Sequence, residues 1–381
     1  MKRIYLDHSA TTPIDPEVAE LMKTFSLECY GNPSSVHYFG RLSRKAIEEA
    51  RKQIAVLIGA DQKEIIFTSG GTEADNLAIQ GAAKAKARKG RHLITSSIEH
   101  HAVLDTFKYL AKNGYELTIL PVDAEGLVSA DDVAGAVRKD TILISIMHAN
   151  NEVGSVQPIS EIGKIAHDNG SLFHVDAVQS LGKLPIDVEK MNIDLLSVSS
   201  HKIYGPKGVG ALYVRTGVRL APTAFGGSQE RKMRPGTENT PGIIGFGKAC
   251  ELSGQRMNEE NRRLIRLRDK LINGLQSSIS DIKLNGPTGD KRLPNNVNVS
   301  IPFVPGETLL LNLDMVGIAA SAGSACTSGS TDPSHVLLAM GIDPEIAHGS
   351  LRFSLGLQNT EEEIDYVLQE LPRIVNQIRN C

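Results

Sequence analysis

Ser199-Ser200-His201-Lys202-Ile203-Tyr204-Gly205-Pro206 places one lysine just past an apolar run and just before a glycine-proline turn. Two serine hydroxyls and an imidazole lie within three residues of it. A lysine amine can condense with an aldehyde. Ser199 and His201 can hold a phosphate beside it. Pyridoxal phosphate carries both an aldehyde and a phosphate on one ring. Taken alone, Lys202 also reads as an ordinary solvated lysine in a strand-to-loop connection.

Three further constellations bear on that choice. Ser171 to Gln179 reads as a buried strand ending in Asp176. A pyridine nitrogen needs an anion beside it to stay protonated, and Asp176 suits that role. Gln179, in the following turn, can meet a ring hydroxyl. A strand-end Asp also serves as a cap or turn former. Ile65 to Ala78 reads as a strand, then Gly70-Gly71-Thr72, then a helix. Free N–H groups at such a helix start attract anions, and Gly71 and Thr72 sit at that start. It is not a P-loop, since the Gly-Lys-Ser/Thr ending is absent. Ser97 to Leu104 holds His100 and His101 at another strand-to-helix junction. An imidazole there can stack on a ring and move protons near neutral pH, or the pair can be a surface feature. No spacing fits a metal site.

With these motifs in this order, the chain resembles the fold-type-I pyridoxal phosphate enzymes. It most resembles the cysteine desulfurases of the NifS/IscS group, from Tyr5 to Gly356. The most specific stretches are Ser199 to Gly208 and Ser321-Ala322-Gly323-Ser324-Ala325-Cys326-Thr327-Ser328-Gly329. From Ala319 to Thr331 no residue is larger than Thr. Such a segment cannot fill a core, so a mobile loop with an accessible Cys326 is expected. Access and thiolate formation govern cysteine reactivity.

The resemblance implies a reaction. L-cysteine displaces Lys202 from the cofactor, and the freed Lys202 amine moves protons. The Cys326 thiolate attacks the substrate sulfur, leaving L-alanine and a Cys326 persulfide. His100 stacks on the ring and serves as acid or base. Arg352 clamps the substrate carboxylate through its planar fork, with Asn151 and Asn32 as further contacts. Thr237, in the loop Met233 to Asn239, reaches the phosphate of a second subunit, which implies a homodimer. No intrinsic metal is implied, although Cys326 could be a transient iron–sulfur ligand. A sulfur-accepting protein such as an iron–sulfur scaffold is the implied partner. Other readings on this fold are a selenocysteine lyase or a class V aminotransferase. A sulfur-binding scaffold without catalysis would need neither Lys202 nor Asp176. Two departures stand out. Asp7-His8-Ser9-Ala10 replaces a motif in which many relatives carry Asn. The chain also stops at Cys381, without the longer tail by which IscS-type members dock a scaffold.

The elements that must position these groups follow from patterning. At 381 residues, the chain is too long for one simple core. Apolar runs at Ile65–Phe67, Leu93–Thr95, Leu117–Leu120, Ile142–Met147, Leu172–Val175, Leu195–Val198 and Ala211–Val214 alternate with helical segments. That alternation predicts an α/β fold with a mainly parallel sheet, the site lying outside the strand ends. The resemblance makes it fold type I: a large domain over 16–257, and a smaller α+β domain over 1–15 and 258–381. A charged helix is expected over Asn258–Leu275. A final helix should start with a capping box at Thr360 and Glu363 and be kinked or broken by Pro372. Net charge is −3, with no basic block, which argues against nucleic acid. Four scattered cysteines point to a reducing compartment. No signal peptide or spanning helix is expected, so the expected location is cytoplasmic.

Overall fold

The computed structural model describes residues 3–323 and 333–380. The segment that carries Cys326 lies outside the described residues, as does Cys381. The strands are β1 (Ile4–Tyr5), β2 (Ile65–Thr68), β3 (His92–Ser96), β4 (Glu116–Leu120), β5 (Thr141–Ser145), β6 (Leu172–Asp176), β7 (Leu195–Ser199), β8 (Gly210–Val214), β9 (Lys283–Leu284), β10 (Asn296–Ser300), β11 (Ile318–Ala319) and β12 (Ser350–Ser354). The helices are α1 (Pro16–Glu28), α2 (Tyr38–Ile58), α3 (Gly71–Lys86), α4 (His101–Lys112), α5 (Ala130–Ala136), α6 (Ile159–Asp168), α7 (Thr240–Ser278), α8 (Gly306–Met315), α9 (His335–Ala339), α10 (Pro344–Ala347) and α11 (Glu361–Arg379).

Seven strands form one sheet in the order β2-β8-β7-β6-β5-β3-β4. Only β8 runs against its neighbours, pairing antiparallel with both β2 and β7. The parallel strands β5, β6 and β7 are buried along their whole length. That is why apolar residues occur on both of their faces rather than strictly alternating with polar ones. Because β2, β3, β5, β6 and β7 point the same way, their carboxyl ends gather along one edge of the sheet.

A second core is built from Ile4, Leu6, Leu264, Leu271, Val297, Leu351, Phe353 and Ile364, among others. It packs around the antiparallel sheet β12-β10-β9 and the short β1-β11 pair. Two elements differ from the sequence expectation. The helix expected over 258–275 is instead the far end of α7, which runs unbroken for 39 residues. Phe246, Ala249 and Cys250 join the core of the large sheet, while Leu264, Leu271 and Leu275 join the second core. A mid-helix glycine costs only about 1 kcal/mol. Burial at both ends outweighs Gly254, whose bare Cα lets Leu57 approach closely. Likewise α11 continues through Pro372. The ring removes one N–H donor, but buried Leu371, Ile374 and Val375 hold the helix on both sides. The Thr360–Glu363 capping box forms as expected.

Candidate active site

A cavity of about 180 Å³ opens at the carboxyl ends of the parallel strands. Its floor is β6. Asp176 ends that strand, and its Oδ1 accepts the Val178 N–H at 2.9 Å. Burial raises the Asp176 carboxyl, while the nearby His100 and Lys202 charges lower it. Gln179 follows in the turn. Its Nε2 donates to the Ser9 carbonyl (3.0 Å), while its Oε1 is buried without a partner.

The next strand, β7, delivers Ser199, His201 and Lys202. Ser199 Oγ is also buried without a hydrogen-bond partner. His201 Nδ1 meets Thr11 Oγ1 at 3.1 Å. Burial, then the charges of Lys202, Lys207 and Lys183, bring this imidazole down to about 4, so it is neutral at physiological pH. Lys202 Nζ donates to the carbonyls of Ser9 (2.6 Å) and Ala10 (2.8 Å). These two carbonyls come from the N-terminal segment, far away in sequence.

On the other side, β2 turns through Gly70 into α3. A Cβ at Gly71 would sit 2.6 Å from Val178 Cγ2, so only glycine fits there. No side chain caps this helix start, and Gly71 and Thr72 line the cavity. His100 is the N-cap of α4. Its Nδ1 accepts the Ala102 N–H at 3.1 Å. A nitrogen that accepts carries no proton, so the proton of neutral His100 is on Nε2. His101 instead lies beside Asp105 (3.6 Å) and against the His335 ring, so one of the adjacent pair faces the site and the other does not.

Arg352 comes from β12 of the second core and is 1% exposed. Its Nη2 donates to Asp7 Oδ1 (2.8 Å) and its Nη1 to the Asn151 carbonyl (3.1 Å). Its Nε is buried without a partner. The pair with Asp7 is therefore interior, not a surface salt bridge. Asn151 lines the same cavity. Asn32 and Thr237 do not line it. Asn32 Oδ1 accepts the Ser34 N–H in an exposed turn, and Thr237 is exposed.

Sequence reasoning missed Asp75, one turn into α3, which also lines the cavity. Burial, then the charge of Asp176, raise its carboxyl well above the usual range. Below it His174 lies 3.6 Å from Asp75 Oδ1 and bonds Ser145 Oγ (2.7 Å) and Ser197 Oγ (2.9 Å). The i, i+4 spacing from Gly71 was the available signal. Ser9 and Ala10 were also missed, because they act through main-chain carbonyls that residue type does not reveal.

This donor set fits pyridoxal phosphate. The uncapped start of α3, the unpartnered Ser199 hydroxyl and neutral His201 suit a phosphate. The unpartnered Gln179 Oε1 suits a hydroxyl donor, Asp176 a protonated ring nitrogen, and Lys202 an aldehyde. Among the described residues, no group of three or more His, Cys, Asp or Glu could hold a metal ion. No described helix is long and apolar enough to cross a membrane.

Known proteins are similar to this chain over nearly its whole length. The aminotransferase class-V family profile matches residues 4–367. A protein of Dictyoglomus turgidum named cysteine desulfurase IscS is 56% identical over 380 residues, covering 100% of this chain and 96% of the relative. One of the same name from Methanosarcina thermophila is 57% identical, covering 100% of this chain and 93% of the relative. The solved structure of a NifS-like protein superposes with a TM-score of 0.93 at 41% identity. It covers 98% of this chain and 100% of that one.

Proposed function

The chain belongs to the class-V aminotransferase family, and on that premise we propose that it is a pyridoxal phosphate-dependent cysteine desulfurase that takes sulfur from L-cysteine. The observation that carries the reading is the convergence of Lys202, Asp176, His100 and Arg352 on one cavity. An amine, a ring-nitrogen anion, a proton carrier and a carboxylate fork are what this substrate and cofactor require.

Pyridoxal phosphate, when bound, supplies an aldehyde and an electron-withdrawing ring. Ser199, His201, Gly71 and Thr72 would hold the phosphate. Asp176 would keep the ring nitrogen protonated, and Gln179 Oε1 would accept from the ring hydroxyl. His100 would face the ring and supply its Nε2–H as a proton donor. Arg352 and Asn151 orient the substrate carboxylate, while Thr237 of a second subunit completes the surroundings. Lys202 Nζ, held by Ser9 and Ala10, gives and takes protons at substrate carbon.

The Cys326 thiolate then attacks the sulfur of L-cysteine. An S–S bond forms and the Cβ–S bond breaks. The sulfur is oxidised, Cβ is reduced and gains a proton, and the products are a Cys326 persulfide and L-alanine. Neither described cysteine competes for this role. Burial raises the thiol of Cys250, and Cys29 is also raised. Both shifts disfavour the nucleophilic thiolate.

The proposal extends to a cytoplasmic homodimer that hands sulfur to an acceptor such as an iron–sulfur scaffold. Thr237 is exposed in the single chain, as a residue that serves a second subunit must be. The partition into 16–257 and 1–15 with 258–381 is part of the same reading, and the separate cores support it. The test is alanine formation from L-cysteine in Cys29→Ala, Cys250→Ala, Cys326→Ala and Cys381→Ala. Only Cys326→Ala should lose turnover and persulfide while keeping the cofactor. Normal turnover in that variant would overturn the mechanism.

A further inference from the structure

Glu152 has no part in the chemistry above, yet its carboxylate is 1% exposed. Its main chain is held on both sides. The Asn150 side chain accepts its N–H at 2.8 Å, and Asn296 and Asn298 donate to its carbonyl at 2.9 and 3.1 Å. A carboxyl group buried this deeply needs hydrogen-bond partners. Oε2 accepts the Ser334 hydroxyl at 2.5 Å. The same oxygen faces Gly323, where an added Cβ would stand only 3.1 Å from Oε2.

Gly323 and Ser334 flank the segment that carries Cys326. One carboxylate thus touches the chain on both sides of that segment. Ser334 also starts α9, its Oγ accepting the Val336 N–H at 3.1 Å. Two residues before Gly323, Ser321 exchanges main-chain hydrogen bonds with Arg352. Glu152 itself follows Asn151, whose carbonyl takes the Arg352 guanidinium. The residues proposed to hold the substrate carboxylate and the two points where the Cys326 segment departs and returns are therefore joined through one buried polar chain.

We propose that Glu152 is a positioning residue that ties Gly323 and Ser334, which lie on either side of the Cys326-bearing segment in sequence, to the substrate-carboxylate site. The inference rests on the desulfurase reading. A residue acting this way should affect the sulfur-transfer step and leave substrate binding alone. A residue that merely supports the pocket would disturb cofactor and substrate binding as well.

The test uses the full-length, cofactor-loaded protein. In E152A, cofactor content and the KM for L-cysteine should stay within about twofold, while kcat for alanine falls about tenfold. The rate of Cys326 alkylation by iodoacetamide should change by about threefold or more. E152Q, whose amide oxygen still accepts the Ser334 hydroxyl, should recover most of kcat. S334A should lose about what E152A loses, and the double variant no more, because the two act through one contact. If E152A does not fold, S334A and E152Q carry the same comparison. An unchanged kcat in E152A and S334A overturns the proposal, as do losses that multiply in the double variant or loss of cofactor together with a raised KM. If the wild-type protein makes no alanine from L-cysteine, the desulfurase reading fails, while the alkylation contrast still decides the role of Glu152.

Discussion

Replacing Arg352 by lysine separates charge from geometry at the substrate-carboxylate site. The guanidinium already spends one N–H on Asp7 and one on the Asn151 carbonyl, and its buried Nε is unmatched. What it offers a substrate carboxylate is the rest of a rigid planar fork. Lysine can keep the pair with Asp7 but cannot serve Asn151 and a substrate at once. Loss of one charge-assisted hydrogen bond costs about 1.5–3 kcal/mol. At about 1.4 kcal/mol per factor of ten, that is a loss of roughly tenfold to a hundredfold in affinity. The retained charge argues for the lower end. The assay is the inhibition constant of L-alanine, whose carboxylate is the same and which undergoes no sulfur transfer, alongside the L-cysteine dependence of turnover. Arg352→Ala adds a stability cost, because the Asp7 side chain, 17% exposed, loses its cation. Breaking such a buried pair costs about 3–5 kcal/mol, visible as a lowered unfolding midpoint. An unchanged L-alanine constant in a folded Arg352→Lys protein would refute the assignment of the fork to the substrate.

Borohydride treatment of the cofactor-loaded protein, followed by peptide mapping, should place the pyridoxyl group on Lys202; a label on Lys183 or Lys207 would refute that position. Glu99 offers a pH test. It accepts from Ser96 Oγ (2.5 Å) and the Met147 N–H (3.0 Å), and burial pushes its carboxyl up to about 8. The folded state therefore binds a proton that the unfolded chain releases above about 4.5. The stability this gives is present below about pH 4.5 and is lost as pH rises through about 8. Glu99→Gln should flatten the fall in unfolding free energy between those limits; an identical pH slope in the variant would sink the idea.

Much of the site was legible in the sequence because each group sits at the end of its own element. Asp176 closes an apolar strand, Ser199 to Lys202 close the next, and Gly71 and His100 open helices. In a parallel sheet, side chains at strand ends share one edge, so local patterning was enough to assemble Lys202, Asp176, His100, Gln179 and Gly71 in one place.

The tertiary structure decided what no local signal carries. Asp7 and Arg352 are 345 residues apart, and a single hydrogen bond joins them. The carbonyls of Ser9 and Ala10 hold Lys202 although their side chains are not used. The continuity of α7 and α11 was equally hidden, since Gly254 and Pro372 are local breakers whose cost is outweighed by burial contributed from distant elements. Propensity and periodicity act over a few residues. Main-chain hydrogen bonds, buried pairs and the packing that offsets a breaker depend on which elements the fold brings together.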